Sequence, residues 1–506
     1  MAKTLADLLA GPGARPILIR YPQAEIASVV SDSRRVTPGA CFVAIKGYTT
    51  DGHEYIERAL AAGAGAVVYD NPDFDAAIPA TLPAARVPDS RKACAVMSVA
   101  SWDSPSSRLT LTGVTGTNGK TTTVTLVDAL CRHHGLPSAA LGTLGRSVDG
   151  VTEPTAHTTL DSVDLQAQLA ALRDQGISHV AMEVSSHALS LHRTWGLKFD
   201  VVSFSNMSQD HLDFYASLQD YMAAKALLFT EYAALAAPEK RMQAVINTDD
   251  PAGRNLAEQA ACPVLTFGLG AVGSGEPHVT AREVAYSAQG AEFRLCACGE
   301  STEVKLQLLG RFNVMNALCA AGCGLALGFD LPGIADALGT VPPVPGRFER
   351  IDEGQDFSVA VDYGHTPDGL RNVLVSAREL TAERLICVFG CGGDRDRTKR
   401  PIMGAIAAEL ADIAIVTSDN PRSEPPGAII DEILQGAGGR RAEVHAEPDR
   451  RRAIELGISL CRSGDMLVIA GKGHETYQIF ADETIHFDDR EEARRALRAR
   501  LSRERP

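Results

Sequence analysis

Residues 109–123, LTLTGVTGTNGKTTT, set a lysine and a row of hydroxyls directly behind glycines. The apolar residues Leu109, Leu111 and Val114 read as a strand that stops at Gly116, and Gly119-Lys120-Thr121 opens a helix. A glycine-rich turn at such a junction aims several backbone N–H groups at one point, where the helix N-terminus adds partial positive charge. Lys120 supplies a full charge for the β- and γ-phosphates of a nucleotide, and the Thr121 hydroxyl suits Mg²⁺. The usual spacing G-x-x-x-x-G-K-[ST] asks for glycine at 114, where this chain has Val114. A lone GK[ST] tripeptide also arises in ordinary glycine turns. With a strand before it and a helix after it, nucleotide binding is the expectation, through Gly116, Thr117, Asn118, Gly119, Lys120, Thr121 and Thr122.

A carboxylate and an imidazole stand further on. Glu183 lies near the end of the apolar run 179–184, and His211 follows the run 199–204. Either alone fits a surface hydrogen bond. Beside a P-loop threonine the pair suggests a metal site, with one histidine unusual among the oxygen ligands that Mg²⁺ prefers. Lys225 lies in the helical stretch 215–229, YASLQDYMAAKALLF, among Met222, Leu227 and Leu228. Composition alone reads it as a surface lysine whose stem lies on apolar neighbours while its ammonium reaches water.

These groups need a scaffold to bring them together. Six polar clusters each follow a short apolar run: 185–187, 206–213, 362–365, 390–397, 417–422 and 470–475. Parallel α/β sheets bind ligands outside the carboxyl ends of their strands, so the clusters point to one large site shared between domains. At 506 residues the chain exceeds a single core, and about three domains are expected. The breaks 101–107 (SWDSPSS) and 341–346 (VPPVPG) read as linkers and divide it into 1–106, 107–344 and 345–506.

Composition narrows the function. A net charge of −14 argues against nucleic acid or an anionic membrane as the main partner. The eleven cysteines are scattered and include no C-x-x-C, and the closest-spaced pair, Cys296/Cys298, has no second pair of its spacing. Free, partly buried thiols in a reducing compartment are expected rather than zinc. The opening MAKTLADLLAGPGARPILIR has no signal-peptide core and no run is long enough to span a bilayer, so a cytoplasmic location is expected.

Together the motifs carry a resemblance. GTNGKTTT at 116–123, EVSSH at 183–187, NMSQDHLD at 206–213, YMAAK at 221–225 and GRFNVMN at 310–316 are similar to segments of the Mur ligase family. So are PGRFER at 345–350, DYGHTPD at 362–368, GCGGDRD, SDNPR and AGKGHE, and the likeness spans nearly the whole chain. These are ATP-dependent amino-acid ligases that build the peptide stem of bacterial peptidoglycan. DNPR at 419–422 and the N-terminal SDSRRVTPGACFVAIKG resemble the members that add meso-diaminopimelate to UDP-N-acetylmuramoyl-L-alanyl-D-glutamate.

The resemblance implies an α/β protein of three domains: an N-terminal UDP-binding domain, a central P-loop domain with a parallel sheet, and a C-terminal Rossmann-like domain for the amino acid. It implies that Lys225 is carbamylated, turning a cation into an oxygen ligand. Glu183, His211 and Lys225 would then hold a second Mg²⁺ while Thr121 serves the first. Asn313, Arg347 and Asp362 match adenine, phosphate and ribose contacts. Ser31, Ser33, Tyr48, Thr49 and Thr50 match the uridine-diphosphate segments, and Thr158, Thr159, Ser185 and Arg193 the surroundings of the muramoyl-peptide. Arg395, Asp419, Asn420, Pro421, Arg422, Gly471 and Glu475 match the diaminopimelate pocket. The chain departs from the family pattern at His157, where asparagine is usual, and at Leu191, where glutamine is. A monomer is expected, with hinge closure at the linkers. A lysine-adding relative, a folylpolyglutamate synthase and a regulatory P-loop ATPase are the competing readings.

Overall fold

The computed structural model describes residues 3–48, 50–211, 214–270, 277–287, 289–381, 383–439 and 441–504. Three α/β layers carry the chain. The first is a five-stranded sheet ordered Leu18–Arg20, Ala84–Arg86, Ala66–Tyr69, Cys41–Val43, Val29–Val30, parallel except at the first pair.

The second sheet has eleven strands among the described residues. Thr110–Thr115 lies inside it, flanked in parallel by His179–Glu183 on one side and Val201–Phe204 on the other. The chain leaves Thr110–Thr115 for Ser138–Gly142 on one side and later returns to the opposite side at Val201–Phe204. That reversal of strand order is where open α/β sheets bind ligands. Antiparallel strands Val279–Ser287, Gly290–Ala297 and Glu300–Leu306 finish the far edge.

The third sheet runs Glu349–Arg350, Ser358–Asp362, Met466–Ala470, Leu385–Phe389, Ile413–Val416, Glu443–Ala446, parallel except at its first pair. Leu385–Phe389 and Met466–Ala470 are buried at every residue. Helices on both faces require such unbroken apolar runs, which is why these strands stood out in the sequence. Helix Pro367–Leu380 begins where the Thr366 hydroxyl accepts from the Gly369 N–H and proline takes the first helical position.

The joints between layers differ. One apolar cluster runs from the N-terminal layer, through Ala93, Cys94 and Met97 of helix Ser90–Ser101, to Leu165, Leu169 and Leu172 of helix Ser162–Asp174. Arg35 adds a two-toothed ion pair to Asp164, at 3.1 and 2.8 Å. The first two layers are thus welded by apolar packing. The expected linker at 101–107 is part of this weld: the helix ends at Ser101, and buried Ser106 accepts from the Lys198 N–H. The C-terminal layer has its own cores, which Leu309 and Phe312 of the central layer join, and polar groups of both layers face each other across the cleft. All eleven cysteines are free, and eight are buried. Among the described residues no helix is long and apolar enough to cross a membrane.

Candidate active site

A cleft of about 1190 Å³ opens between the central and C-terminal sheets. Its floor is the loop expected to hold phosphates. Gly116 has a φ of +144°, and a Cβ there would lie 1.9 Å from the Ser205 hydroxyl, so only glycine fits. The loop is strapped to the neighbouring strand end: Thr117 N–H donates to the Asn206 carbonyl, Asn118 N–H to the Asn206 side chain, and Ser205 Oγ to the Asn118 carbonyl. Helix Lys120–His133 begins at once behind it. Lys120 Nζ lies over the loop, donating to the carbonyls of Gly116 and Thr117 at 3.0 and 2.8 Å. Burial lowers its proton affinity.

Glu183 ends its strand with 1% exposure. Its carboxylate is aimed by one residue, Thr143, whose N–H donates to Oε1 at 2.8 Å and whose hydroxyl donates to Oε2 at 3.1 Å. His211 lines the same cleft, its ring set edge-on to His187 at 4.6 Å. Lys225 corrects the surface reading: it is 1% exposed, and Nζ donates to the Gly116 carbonyl at 2.8 Å. The helix that carries it is Leu218–Thr230, later than the expected start because Ser217 caps it. Burial pushes the Lys225 proton affinity well below that of a free lysine, and the charge of Lys120 adds to this. Asp210 balances these cations. Burial opposes its ionisation, yet His211, His365 and Lys120 hold its carboxyl below the ordinary range.

The C-terminal side brings the remaining groups. Arg347 donates through Nη2 to the Thr121 hydroxyl at 2.9 Å, and Asn118 Nδ2 donates to Asp368 at 3.0 Å. Asp362, whose carboxyl burial pushes up, accepts from the N–H groups of Phe348 and Gly364. Arg395 and Arg422 face the cleft with Asp419, Asn420, Gly471 and Glu475. Buried Arg400 fixes the loop that bears Arg395, bonding Glu424, Glu432 and the Gly392 carbonyl. Arg422 has a φ of +52°, costly for a residue with a Cβ. Its N–H bonds the Ile479 carbonyl and its Nη1 the Gly393 carbonyl at 2.8 Å. Arg450 and Asp489, both fully buried, pair beneath the pocket, and Arg450 also donates to the carbonyls of Ser418 and Ala470. That clamp sets the spacing of the strand ends that carry Asp419 and Gly471.

The cleft also gathers Thr117, Asn118, Gly119, Lys120, Thr121, Thr122, Thr158, Thr159, Ser185, Arg193 and Arg347. Arg193 is held there by a bond from Nη1 to the Thr159 carbonyl. Gly116, Lys225, Asn313 and Pro421 stand behind its walls; Asn313 spends its amide on the Leu309 carbonyl and Asn316. His157 lines the cleft, and Leu191 closes the short helix Ser186–Ser190 away from it. Ser31, Ser33, Tyr48 and Thr50 lie on the N-terminal layer, outside the cleft lining, and Thr49 lies outside the described residues. The ring of exposed Tyr48 meets that of Phe214 at 5.0 Å, tilted by 55°, so that loop does reach the central layer. Sequence reasoning did not single out Thr143, Asp210, His365, Asp368 or Lys399. Asp210, His365 and Asp368 had a local signal, since they lie in the polar segments 206–213 and 362–368, whereas Thr143 and Lys399 had none.

No group of three or more His, Cys, Asp or Glu side chains among the described residues is arranged to hold a metal ion. A magnesium site here therefore needs oxygen donors of other kinds. The Thr121 hydroxyl and a carbamate on buried, weakly basic Lys225 fit that need beside Glu183 and His211.

Comparisons with known proteins agree with this architecture. Family models described as the Mur ligase family catalytic domain, the Mur ligase middle domain and the Mur ligase glutamate ligase domain match residues 25–102, 114–324 and 346–473. The chain belongs to the Mur ligase family. It is 46% identical over 480 residues to the UDP-N-acetylmuramoyl-L-alanyl-D-glutamate–2,6-diaminopimelate ligase of Thermosynechococcus vestitus, covering 94% of each chain. It is 43% identical over 476 residues to the enzyme of the same name from Geobacillus kaustophilus, covering 94% of this chain and 96% of that one. A solved structure of a ligase so named superposes with a TM-score of 0.69 at 33% identity, covering 99% of this chain and all of the other. A Mycobacterium tuberculosis folylpolyglutamate synthase solved with ADP and AMPPCP shares the fold, with a TM-score of 0.61 at 20% identity over 74% of this chain. The protein is thus an α/β, three-domain ligase of a family that uses ATP.

Proposed function

We propose that this enzyme joins meso-2,6-diaminopimelate to the D-glutamyl γ-carboxylate of UDP-N-acetylmuramoyl-L-alanyl-D-glutamate, consuming ATP, in peptidoglycan synthesis. One observation carries the reading. A single cleft faces a phosphate loop at 117–122 with the buried carboxylate of Glu183, and sets two arginines and two carboxylates opposite, at 395, 422, 419 and 475. The names of relatives above 40% identity support the same substrates. The proposed domains are 1–106 for the UDP end, 107–344 for ATP and 345–506 for the amino acid.

The reaction needs little covalent work from the protein. The γ-carboxylate oxygen attacks the γ-phosphorus of ATP, the bond to ADP breaks, and an acyl phosphate forms. An amine of diaminopimelate then attacks the carbonyl carbon, and the tetrahedral adduct expels phosphate. Lys120 and Arg347 meet the negative charge that moves during transfer, while the cleft aligns carboxylate and phosphate. Magnesium, when bound, neutralises phosphate charge; Thr121 would serve one ion, and Glu183, His211 and carbamylated Lys225 would hold a second. Asn313 and Asp362 serve the nucleoside end. Ser31, Ser33, Tyr48, Thr49 and Thr50 serve the uridine end, and Thr158, Thr159, Ser185 and Arg193 the muramoyl-peptide. Arg395, Asp419, Asn420, Pro421, Arg422, Gly471 and Glu475 form the amino-acid pocket. The use of ATP with a UDP-linked substrate supports a cytoplasmic location.

The test is ADP formation with the UDP-linked dipeptide plus diaminopimelate, L-lysine or neither. Turnover that requires both the dipeptide and diaminopimelate is expected. Equal rates with lysine would indicate a lysine-adding enzyme, and ADP release without either substrate a regulatory ATPase.

A further inference from the structure

Lys472 has no place in the mechanism above, yet it is fully buried against the amino-acid side of the cleft. Its Nζ donates to Asn420 Oδ1 at 3.0 Å and to Glu475 Oε2 at 3.1 Å. Asn420 Nδ2 donates to the same Glu475 oxygen at 2.9 Å, closing a ring of three bonds. The ring of Tyr477 lies 5.4 Å from the ammonium.

The ring has a directional consequence. Asn420 Oδ1 accepts from two groups that can only donate, Lys472 and the Ile479 N–H at 3.1 Å. The amide therefore has one orientation, with Nδ2 turned to Glu475. Oε2 of Glu475 then carries two donors, and neither of these bonds uses Oε1. Removing the ammonium would leave a carboxylate without its cationic partner and an amide free to turn over. A buried lysine is tolerated when its charge is paired, and here Glu475, which lines the cleft, supplies the pair while Asn420 takes a second donor.

We propose that Lys472 is a positioning residue for the amino-acid substrate: it aims Glu475 toward an ammonium of the incoming amino acid and fixes the face of Asn420. The inference rests on the reading that the amino acid binds between residues 392–422 and 471–477.

The experiment is a double-mutant cycle on the full-length enzyme with Lys472→Met, Glu475→Gln and the pair, measuring KM for diaminopimelate, ATP and the UDP-linked dipeptide. Lys472→Met is expected to raise the diaminopimelate KM by about tenfold or more and to leave the other two KM values within about twofold. In the Glu475→Gln background, adding Lys472→Met should change the diaminopimelate KM by less than about threefold, because its target is already gone. Equal multiplicative effects in both backgrounds, or a common rise in all three KM values, would overturn the inference while leaving the pocket in place. An unchanged diaminopimelate KM in Glu475→Gln would overturn the pocket assignment and the inference with it. Should Lys472→Met alone fail to fold, the pair, which removes both charges, still decides the question against Glu475→Gln.

Discussion

The ammonium groups of Lys225 and Lys120 share one acceptor, the carbonyl oxygen of Gly116, at 2.8 and 3.0 Å. Burial and the neighbouring charge both favour the neutral amine of Lys225, which is the form that adds to CO₂. Lys225→Arg is predicted to be inactive and folded, since a guanidinium keeps the charge but cannot form the carbamate. Wild type exposed to isotope-labelled CO₂ should show a carbamate carbon that the variant lacks. An active arginine variant would end this reading.

Lys120→Ala should lose about 3 kcal/mol of transition-state stabilisation, roughly 100-fold or more in kcat. Only two bonds to its own loop go with it, so the thermal midpoint should stay close to wild type. A variant that keeps more than about a tenth of the wild-type rate, a difference of only ~1.4 kcal/mol, would remove Lys120 from phosphoryl transfer.

Diaminopimelate differs from lysine by one carboxylate, and Arg422, which lines the cleft, is the cation proposed to meet it. Pro421 before it and the bond from Nη1 to Gly393 fix its direction. Arg422→Ala should raise the diaminopimelate KM by an amount equivalent to about 2–5 kcal/mol, the usual loss when a charged partner is left unpaired. Lysine should be a poor substrate before and after. Saturation curves for both amino acids decide it; unchanged diaminopimelate kinetics would move attention to Arg395.

His53 predicts a pH dependence of stability. It is buried between Asp51 and Asp70, at 2.6 and 3.1 Å. Burial opposes its charge, but the bonds to Asp70 and Asp51 outweigh burial and raise its pKa. Asp70 is likewise opposed by burial, yet the bonds from His53 and Ser90 lower it to about 2. The histidine contribution is complete below its ordinary value of 6.5 and is lost as pH rises through the raised one. The aspartate contribution is complete above 3.8 and fades as pH falls toward about 2. The thermal-midpoint gap between wild type and His53→Gln should therefore be widest near pH ~5 to ~6 and shrink above it. A gap that is constant up to pH ~9 would mean the imidazole bonds carry no charge.

What the sequence disclosed depended on distance along the chain. The phosphate loop is contiguous, so its glycines, lysine and threonine were readable together even with Val114 in place of glycine. Strands Leu385–Phe389 and Ile413–Val416 matched their apolar runs because both faces are buried. Lys225 was misread because a helix with apolar residues on several sides does not say which side faces the core. Thr143 could not be found at all: its importance lies in Glu183, forty residues on, and only the pairing of Ser138–Gly142 with His179–Glu183 brings them together. Lys399 is similar, tied to the His365 carbonyl by the arrangement of the third sheet.

The bond from Arg347 to the Thr121 hydroxyl joins the two sides of the cleft at the oxygen proposed for a cation. Two positive partners drawn to one oxygen repel, and a low local dielectric sharpens the repulsion. On the proposed mechanism a metal nucleotide that takes this oxygen would release Arg347 to the transferred phosphate, so that the bond and metal loading would be linked as one equilibrium. An affinity measured for the nucleotide would then include the cost of breaking the Arg347–Thr121 bond. A compound that stiffened the 341–346 turn and held Arg347 on the Thr121 hydroxyl, away from the phosphate it is proposed to meet, would weaken nucleotide binding without entering the nucleotide site.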